Sequence, residues 1–285
     1  MSATASFPFE RLPVELQREI FVVAATSDPR DALQLVFVAK RVHEWVQPIV
    51  YEMVTLGAND ALLFLRTMAS VPPKFLEHRV KKMCLTVSVR AQNARRILST
   101  CTGVVDLAFW VDYIGIFPDD PISLFISPLR LQRLSIEIKH FKTLFTDLET
   151  RQTWWDTLTH LDLVFWTHDD EPAAPELCQL SSLTHLSLRL RHSHPTTQSL
   201  TAILLACRCL KVLIILDDPD SSDTEDTISP MDPRIVWMPY PVNIVQDWEA
   251  QAKNEPHCIW SRAEDLVRSN IAQRERSKSV STTGC

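Results

Sequence analysis

The chain reads LTHLDLVF at residues 158–165 and LTHLSLRL at residues 183–190. Both stretches follow the template L-x-x-L-x-L-x-L, which places an apolar residue at positions one, four, six and eight. The template also fits from four further starts, at Val80, Val104, Leu131 and Leu210, and Asp217 is the one polar exception at its positions. Successive copies start 24 to 27 residues apart. This regular spacing predicts a repeat architecture.

Alternation within the template predicts one short β-strand in each repeat. Template positions four, six and eight face the core, and positions three, five and seven face outward. Between the strands, helical i, i+3, i+4, i+7 spacing links Phe141, Leu144, Phe145 and Leu148, and again Leu200, Ile203, Leu204 and Cys207. The period lies in the leucine-rich-repeat range, and such units stack on their neighbours. We therefore expect an α/β solenoid with parallel strands on its inner face and helices on its outer face. It is expected to be irregular, because no Asn or Cys follows the template to bond the turns.

Residues 12–50 do not fit the repeat and predict three helices. Pro13 suits a first helical turn, where a missing N–H is harmless, and Leu16, Ile20 and Val23 follow on one side. A second helix is expected from Asp31 to Val38, and a third is expected to end before Pro48. Tyr51, Val54, Leu56 and Ala58 then repeat the strand pattern, so the helical unit is expected to run directly into the solenoid.

The C-terminal part also departs from the repeat. The acidic stretch 217–232 predicts a disordered insertion, and Ile235-Val236-Trp237 predicts a last strand. A helix carrying Trp260, Ala263, Val267 and Ile271 is expected to cap the final repeat, and the tail from residue 273 is expected to be frayed. The predicted divisions are a helical unit at 7–50, the solenoid at 51–216, the insertion at 217–232, a last strand and capping helix at 233–272 and a disordered tail at 273–285.

Composition excludes several classes of function. The 285 residues carry a net charge of -6, but six acidic residues lie within 217–226, so the rest is near neutral and gives no electrostatic footprint for nucleic acid. Four glycines leave no glycine-rich phosphate loop. Seven cysteines without a C-x-x-C pair indicate reduced thiols in a cytoplasmic or nuclear protein. No apolar run reaches the roughly 18 residues of a membrane span, so we expect neither a membrane partner nor a secretion signal.

The segment FPFERLPVELQREIFVVAATSDPRDALQLVFVAKRVHEWVQPIVYEMVTL, residues 7–56, resembles the F-box. The residues that match the F-box pattern in order are Leu12, Pro13, Glu15, Ile20, Val38, Lys40, Trp45 and Tyr51. An F-box followed by leucine-rich repeats is a known pairing. The end of the chain, with DPRIVWMPYP, Trp248 and WSRAEDLV, is similar to the ending of F-box-like proteins abundant in mushroom-forming fungi.

The resemblance implies a substrate-recognition adaptor of an SCF-type cullin-RING ubiquitin ligase. In that family the F-box docks on a small linker protein that joins it to the cullin, and the repeats hold a protein substrate. The residues implied in linker docking are Leu12, Pro13, Leu16, Ile20, Val38 and Trp45. An adaptor works by raising effective concentration, so no catalytic residue, metal or cofactor is expected. The alternative is a non-catalytic repeat scaffold in which Leu16, Ile20, Val38 and Trp45 form the core of a cap that binds no ligase.

The outward strand positions are the candidate surface for a protein partner. They mix charged and aromatic side chains, as binding faces do. The candidates are Lys82, Asp106, Trp110, Arg133, Glu137, His160, Asp162, His185 and Arg189. The same positions could instead be a solvated sheet or a surface covered by loops. The clusters His185, His192, His194 and His168-Asp169-Asp170-Glu171 lack four-ligand spacing, so we expect neither a metal site nor hydrolytic chemistry there.

Overall fold

An eight-stranded, all-parallel sheet runs through the chain, with its strands in sequence order. The structure is a computed structural model that describes residues 9–27, 29–145, 152–166, 175–190, 195–217 and 232–282. The strands are β1 (Met53–Leu56), β2 (Lys82–Leu85), β3 (Asp106–Phe109), β4 (Arg133–Glu137), β5 (His160–Phe165), β6 (His185–Leu190), β7 (Val212–Asp217) and β8 (Ile235–Pro239). The expected α/β class is confirmed.

Each predicted strand is present, and β2 to β7 each begin two residues into a copy of the template. The register aligns equivalent template positions, so that Leu161 stands beside Leu186 and Leu134 beside Leu161. One fully inward row crosses the sheet through Met83, Leu107, Leu134, Leu161, Leu186 and Leu213, all nearly inaccessible to solvent. Burying each such side chain contributes about 1.5–3 kcal/mol, so the repeated leucines hold neighbouring repeats together.

Helices cover the inward side of the sheet. They are α4 (Ala58–Ser70), α5 (Pro73–Arg79), α6 (Ala91–Thr100), α7 (Ser123–Ile126), α8 (Ile138–Thr143) and α9 (Thr197–Ala206), with 3₁₀ helices at Thr153–Asp156 and Pro175–Gln179. The prediction of α9 is confirmed. The helix expected across Phe141 to Leu148 is shorter, because the chain turns after Thr143 and Phe145 stacks on Trp155 with ring centroids 5.0 Å apart. Leu148 lies outside the described residues.

Three helices precede the sheet, and we call them the N-terminal helical unit: α1 (Val14–Ser27), α2 (Pro29–Leu35) and α3 (Lys40–Glu52), after a 3₁₀ helix at Phe9–Arg11. The second helix ends at Leu35, three residues earlier than expected. The expected end before Pro48 is wrong, since α3 continues through this proline and leads straight into β1. Pro48 removes one helical hydrogen bond, and the buried Val42 and Val46 hold the helix against its neighbours.

Two helices follow the sheet, α10 (Ile244–Ala252) and α11 (Ile259–Thr282), and we call them the C-terminal helix pair. Our sequence reasoning missed α10. The closing helix was predicted, but α11 lies against the outward side of β7 and β8 as well as closing the sheet. It also continues to Thr282, into the tail that was expected to be disordered. Residues 218–231, within the predicted insertion, lie outside the described residues. None of the described helices is long and apolar enough to cross a membrane.

Candidate functional site

Helix α1 turns an apolar side to solvent. Leu16, Ile20 and Val23 stand at i, i+4 and i+7, so they share one helical face, and they are 46%, 48% and 57% exposed. The polar Gln17 is buried instead, and its Nε2 donates to the carbonyl oxygen of Leu12 at 2.8 Å. The small Ala25 is the other buried residue of α1. The helix therefore packs through a narrow strip and leaves its larger aliphatic side chains uncovered.

Further apolar side chains are exposed on α2 and the turn after it. Leu33 is 55% exposed, Phe37 87% and Val38 59%. Our sequence reasoning placed Val38 on a docking surface but missed Leu33, Phe37 and Val23. The sequence carried a signal for these positions. A three-helix unit of this length has room for few core residues, and this segment contains more apolar residues than such a core can hold. Exposed apolar groups concentrated on one small unit are typical of a protein-binding surface.

The six residues implied in linker docking divide into two groups. Leu16, Ile20, Val38 and Pro13 are exposed, whereas Leu12 and Trp45 are half-buried. Trp45 belongs to the interior of the unit, where its ring centroid lies 6.3 Å from that of Phe21. Trp45 thus contacts the core of the unit and keeps part of its surface exposed. The alternative in which all the apolar candidates form the core of a cap fits Trp45 but not Leu16, Ile20 or Val38.

The outward side of the strands, which we call the strand face, is covered. Of the nine candidate partner-binding residues, five are buried, namely Asp106, Trp110, Asp162, His185 and Arg189, and four are half-buried, namely Lys82, Arg133, Glu137 and His160. The expectation of an open binding face is therefore wrong for this state of the chain. The physical reason is that the C-terminal helix pair folds back across the strands. The alternative of a covered surface is therefore the correct one, except that helices and not loops cover it.

Apolar contacts attach the helix pair in two places. Trp248 and Ala252 of α10 join a cluster with Cys84, Ala108, Trp110 and Val164. A second cluster joins Ile259, Trp260, Ala263 and Val267 of α11 to Val212, Ile214, Leu216, Val236 and Met238. The sequence carried a signal for this cover. All three outward positions of β7 are aliphatic, which is unsuited to a solvated face.

The half-buried candidates each have a partner within the chain. The Lys82 Nζ lies 3.4 Å from the carboxylate of Glu52, and the Glu137 carboxylate lies 2.9 Å from the Nδ1 of His140. Arg133 donates through Nη1 to a backbone carbonyl oxygen of α10 at 2.7 Å. These side chains serve packing between elements, so they are not free to anchor a partner in this state.

A buried polar chain links the strands to α10. The Trp110 Nε1 donates to the Ser135 Oγ at 2.9 Å, and the Ser135 Oγ donates to the Asp162 Oδ2 at 2.7 Å. Arg189 donates from Nε to the same Asp162 oxygen at 2.6 Å and from Nη2 to the Asp247 Oδ2 at 2.7 Å. Burial opposes the charge of Arg189, but the two carboxylates raise its pKa above the ordinary value. The guanidinium therefore stays charged and ties β5 and β6 to α10.

Two stacked histidines support α11. The rings of His160 and His185 are parallel, with centroids 4.2 Å apart, and Trp260 stands edge-on to both. The His185 Nε2 lies 2.9 Å from the carboxylate of Glu264. Burial, the neighbouring His185 and Arg133 lower the pKa of His160 to about 3, and burial lowers the pKa of His185 as well, against the pull of Glu264. The stack is therefore neutral near pH 7.

This stack predicts that acid weakens the fold. Between pH 6.5 and about 3 the unfolded chain binds a proton on His160 that the native chain does not, so stability is full above pH 6.5 and falls below it. The slope is about 1.4 kcal/mol per pH unit for one such group. The free energy of unfolding is measured by urea denaturation at about pH 7.5 and about pH 5. We expect His160→Gln to lose about 1 to 2 kcal/mol less than the parent chain between these two pH values.

Asp106 has the opposite effect on the pH dependence of stability. The His160→Gln variant is therefore compared with the parent chain at each pH. Burial raises the pKa of Asp106 to about 6, against the charges of Arg133 and Lys82, so it favours the native state as pH falls from 6 towards 3.8. That contribution is common to both chains and cancels in the difference. The exposed His43, changed to Gln, is the matched control and is expected to leave the pH dependence unchanged. Equal pH dependence in the parent chain and His160→Gln would contradict the assignment.

Among the residues that the structure describes, no group of three His, Cys, Asp or Glu side chains could hold a metal ion. His168, His192 and His194 lie outside the described residues. The fold and its surfaces define a class, an open parallel α/β protein with an exposed apolar helical unit and a covered strand face. No family model matches the chain, and no curated protein matches it either.

Proposed function

We propose that the chain is a non-catalytic substrate-recognition adaptor of an SCF-type cullin-RING ubiquitin ligase. In this proposal the N-terminal helical unit is an F-box that docks on the linker protein, and the strands and helices that follow are an irregular leucine-rich-repeat solenoid that carries a protein substrate. The observation that carries the proposal is the inverted burial of α1, with Gln17 inside and Leu16 and Ile20 outside.

The energetics support docking through this unit. A solvated helix gains nothing from aliphatic residues on its exposed face, whereas burying them against a partner contributes about 25 cal/mol per Å² of apolar area. The largely exposed Phe37 adds an aromatic side chain of the type that anchors interfaces. Because an adaptor holds its substrate near a ubiquitin-loaded partner, effective concentration replaces catalysis by the chain itself.

A second candidate is a repeat scaffold whose helical unit binds no ligase. The observation that favours it is the covered strand face, because the resemblance implies that the repeats hold the substrate, and the C-terminal helix pair already fills their outward side. An adaptor with this structure holds its substrate on another surface or after the helix pair has moved. The two candidates differ in one measurable property, which is affinity for the linker protein.

The test is a titration of the full chain with purified linker protein. We expect Leu16→Asp combined with Ile20→Asp to weaken binding by about 100-fold or more, because each carboxylate would be desolvated in an apolar interface. Both positions are exposed in the free chain, so the variant is expected to stay folded.

Leu205→Asp is the matched control, because Leu205 is 74% exposed on α9, away from the helical unit. It is expected to bind the linker like the parent chain. No binding by the folded parent chain, or an equal loss with Leu205→Asp, would leave the scaffold as the better account.

A further inference from the structure

Five basic side chains lie where the strands begin. Because the sheet is all parallel and in sequence order, the turns that enter successive strands lie side by side along one edge. Arg79 and Lys81 precede β2, Arg130 precedes β4, and Arg208 and Lys211 precede β7. None of these five forms an ion pair with any residue in the described ranges. Outside residues 217–226 the chain is near neutral, so these five cations make this edge locally basic.

A cleft opens on this edge between α5 and the turns before β3 and β4. It has a volume of about 460 Å³, and its lining includes the cations Lys81 and Arg130, the imidazole of His78, the carboxylate of Glu77, the half-buried Val105 and the exposed Pro128. Cations set beside an apolar wall suit a partner that brings both charge and aliphatic groups, as a protein segment does.

The cleft is held in shape by a close backbone approach. A Cβ on Gly103 would lie 1.8 Å from the carbonyl oxygen of Glu77, so only glycine lets this turn pack against α5. The Lys81 Nζ reaches the same turn and lies 3.5 Å from the Gly103 carbonyl oxygen. The backbone N–H groups of Thr102 and Gly103 donate to no residue within the described ranges. Lys81, Arg130 and the turn at Thr102 and Gly103 thus line the same cleft.

We propose that this cleft binds an acidic segment of a partner protein, with a carboxylate side chain seated between Lys81 and Arg130. The Glu77 carboxylate also lines the cleft and lowers its net positive charge, so the cleft suits a monoanionic carboxylate better than a phosphate dianion. The turns before β5 and β6 do not continue the line of basic side chains, and there the Ser181 Oγ donates to the carboxylate of Asp156. A nucleic-acid backbone needs cations along its whole length, so this edge is unsuited to binding one. This inference goes beyond the ligase proposal and holds or fails without it.

The test uses the full chain and a fluorescent peptide of alternating glutamate and leucine, followed by fluorescence anisotropy. Lys81→Glu combined with Arg130→Glu is expected to lower affinity by roughly tenfold or more, because it replaces attraction with repulsion. Arg208→Glu combined with Lys211→Glu changes the same charge on the same edge outside the cleft, and is expected to stay within about twofold of the parent chain. Arg130→Gln, at an exposed position, gives a milder variant that tests the cleft should the double variant fold poorly.

A peptide with lysine in place of glutamate is expected to bind the Lys81→Glu, Arg130→Glu chain better than the parent chain. Equal losses for the two double variants would show a diffuse electrostatic effect and overturn the proposal. So would stronger binding of a phosphoserine peptide or of single-stranded nucleic acid than of the glutamate peptide, and so would unchanged affinity in Arg130→Gln. None of these changes touches the N-terminal helical unit, so linker binding remains an independent result.

Discussion

Replacing Arg189 with alanine is expected to lower the free energy of unfolding by about 3 to 5 kcal/mol. The side chain is almost fully buried and pairs with Asp162, itself buried, and with Asp247. Removing the guanidinium leaves the Asp162 carboxylate without its charge partner in a site of low dielectric. Urea denaturation at neutral pH measures the change.

The control for Arg189 separates a buried charge from the loss of an arginine as such. Arg66→Ala, at an exposed position on α4, is expected to change the unfolding free energy by less than about 0.5 kcal/mol. Replacing Arg189 and Asp162 together by methionine and leucine is expected to recover much of the loss, because the buried Asp162 charge goes with its partner, and the partly exposed Asp247 still accepts from the Gln251 Nε2. An Arg189→Ala chain as stable as Arg66→Ala would contradict the buried polar chain.

Ending the chain at Pro241 is expected to abolish its recovery as a soluble monomer. This deletion removes the C-terminal helix pair and uncovers the apolar side chains of the strand face, including Trp110, Val164 and Ile214. Large uncovered apolar patches on a monomer cause association, and the lost burial is comparable with the about 5–15 kcal/mol that stabilises a typical domain. Size-exclusion chromatography of the expressed chain checks the result.

A chain that ends at Gln273 is the matched deletion. It keeps Val267, the last buried residue in the part of α11 for which exposure is described. We expect it to be soluble and to unfold within about 1 kcal/mol of the parent chain, because exposed helical turns at the end of a chain contribute little. A soluble, cooperatively folded monomer ending at Pro241 would show instead that the helix pair is dispensable and that the strand face can stand open.

The strands were predictable because their signal is local. Alternation within LTHLDLVF and LTHLSLRL separates the two sides of a strand, and its return at even spacing gives the order and register of the sheet. The helix around Ile203 was predictable for the same reason, since its apolar spacing is complete within ten residues. The helical pattern across Phe141 to Leu148 is followed only in part, since α8 ends at Thr143 and the Phe145 ring stacks on Trp155.

The aliphatic outward positions of β7 signal that the strand face is covered, but which segment covers it depends on contacts between residues far apart in sequence and was not predictable from the repeats. Arg189 and Asp162 look like solvated outward residues until Asp247 is placed against them. The apolar residues of α1 posed a different difficulty. Leu16 and Ile20 have the same spacing whether they face a core or a partner, and only the burial of Gln17 distinguishes the two.

The most direct test of the central proposal is retention of cullin through the linker protein. The intact chain is immobilised, and purified linker and cullin are supplied together or singly. The double variant Leu16→Asp with Ile20→Asp and the control Leu205→Asp are treated in parallel. The account predicts that the intact and Leu205→Asp chains retain cullin only when the linker is present, and that the Leu16→Asp, Ile20→Asp chain retains neither. A folded intact chain that retains neither protein would contradict it.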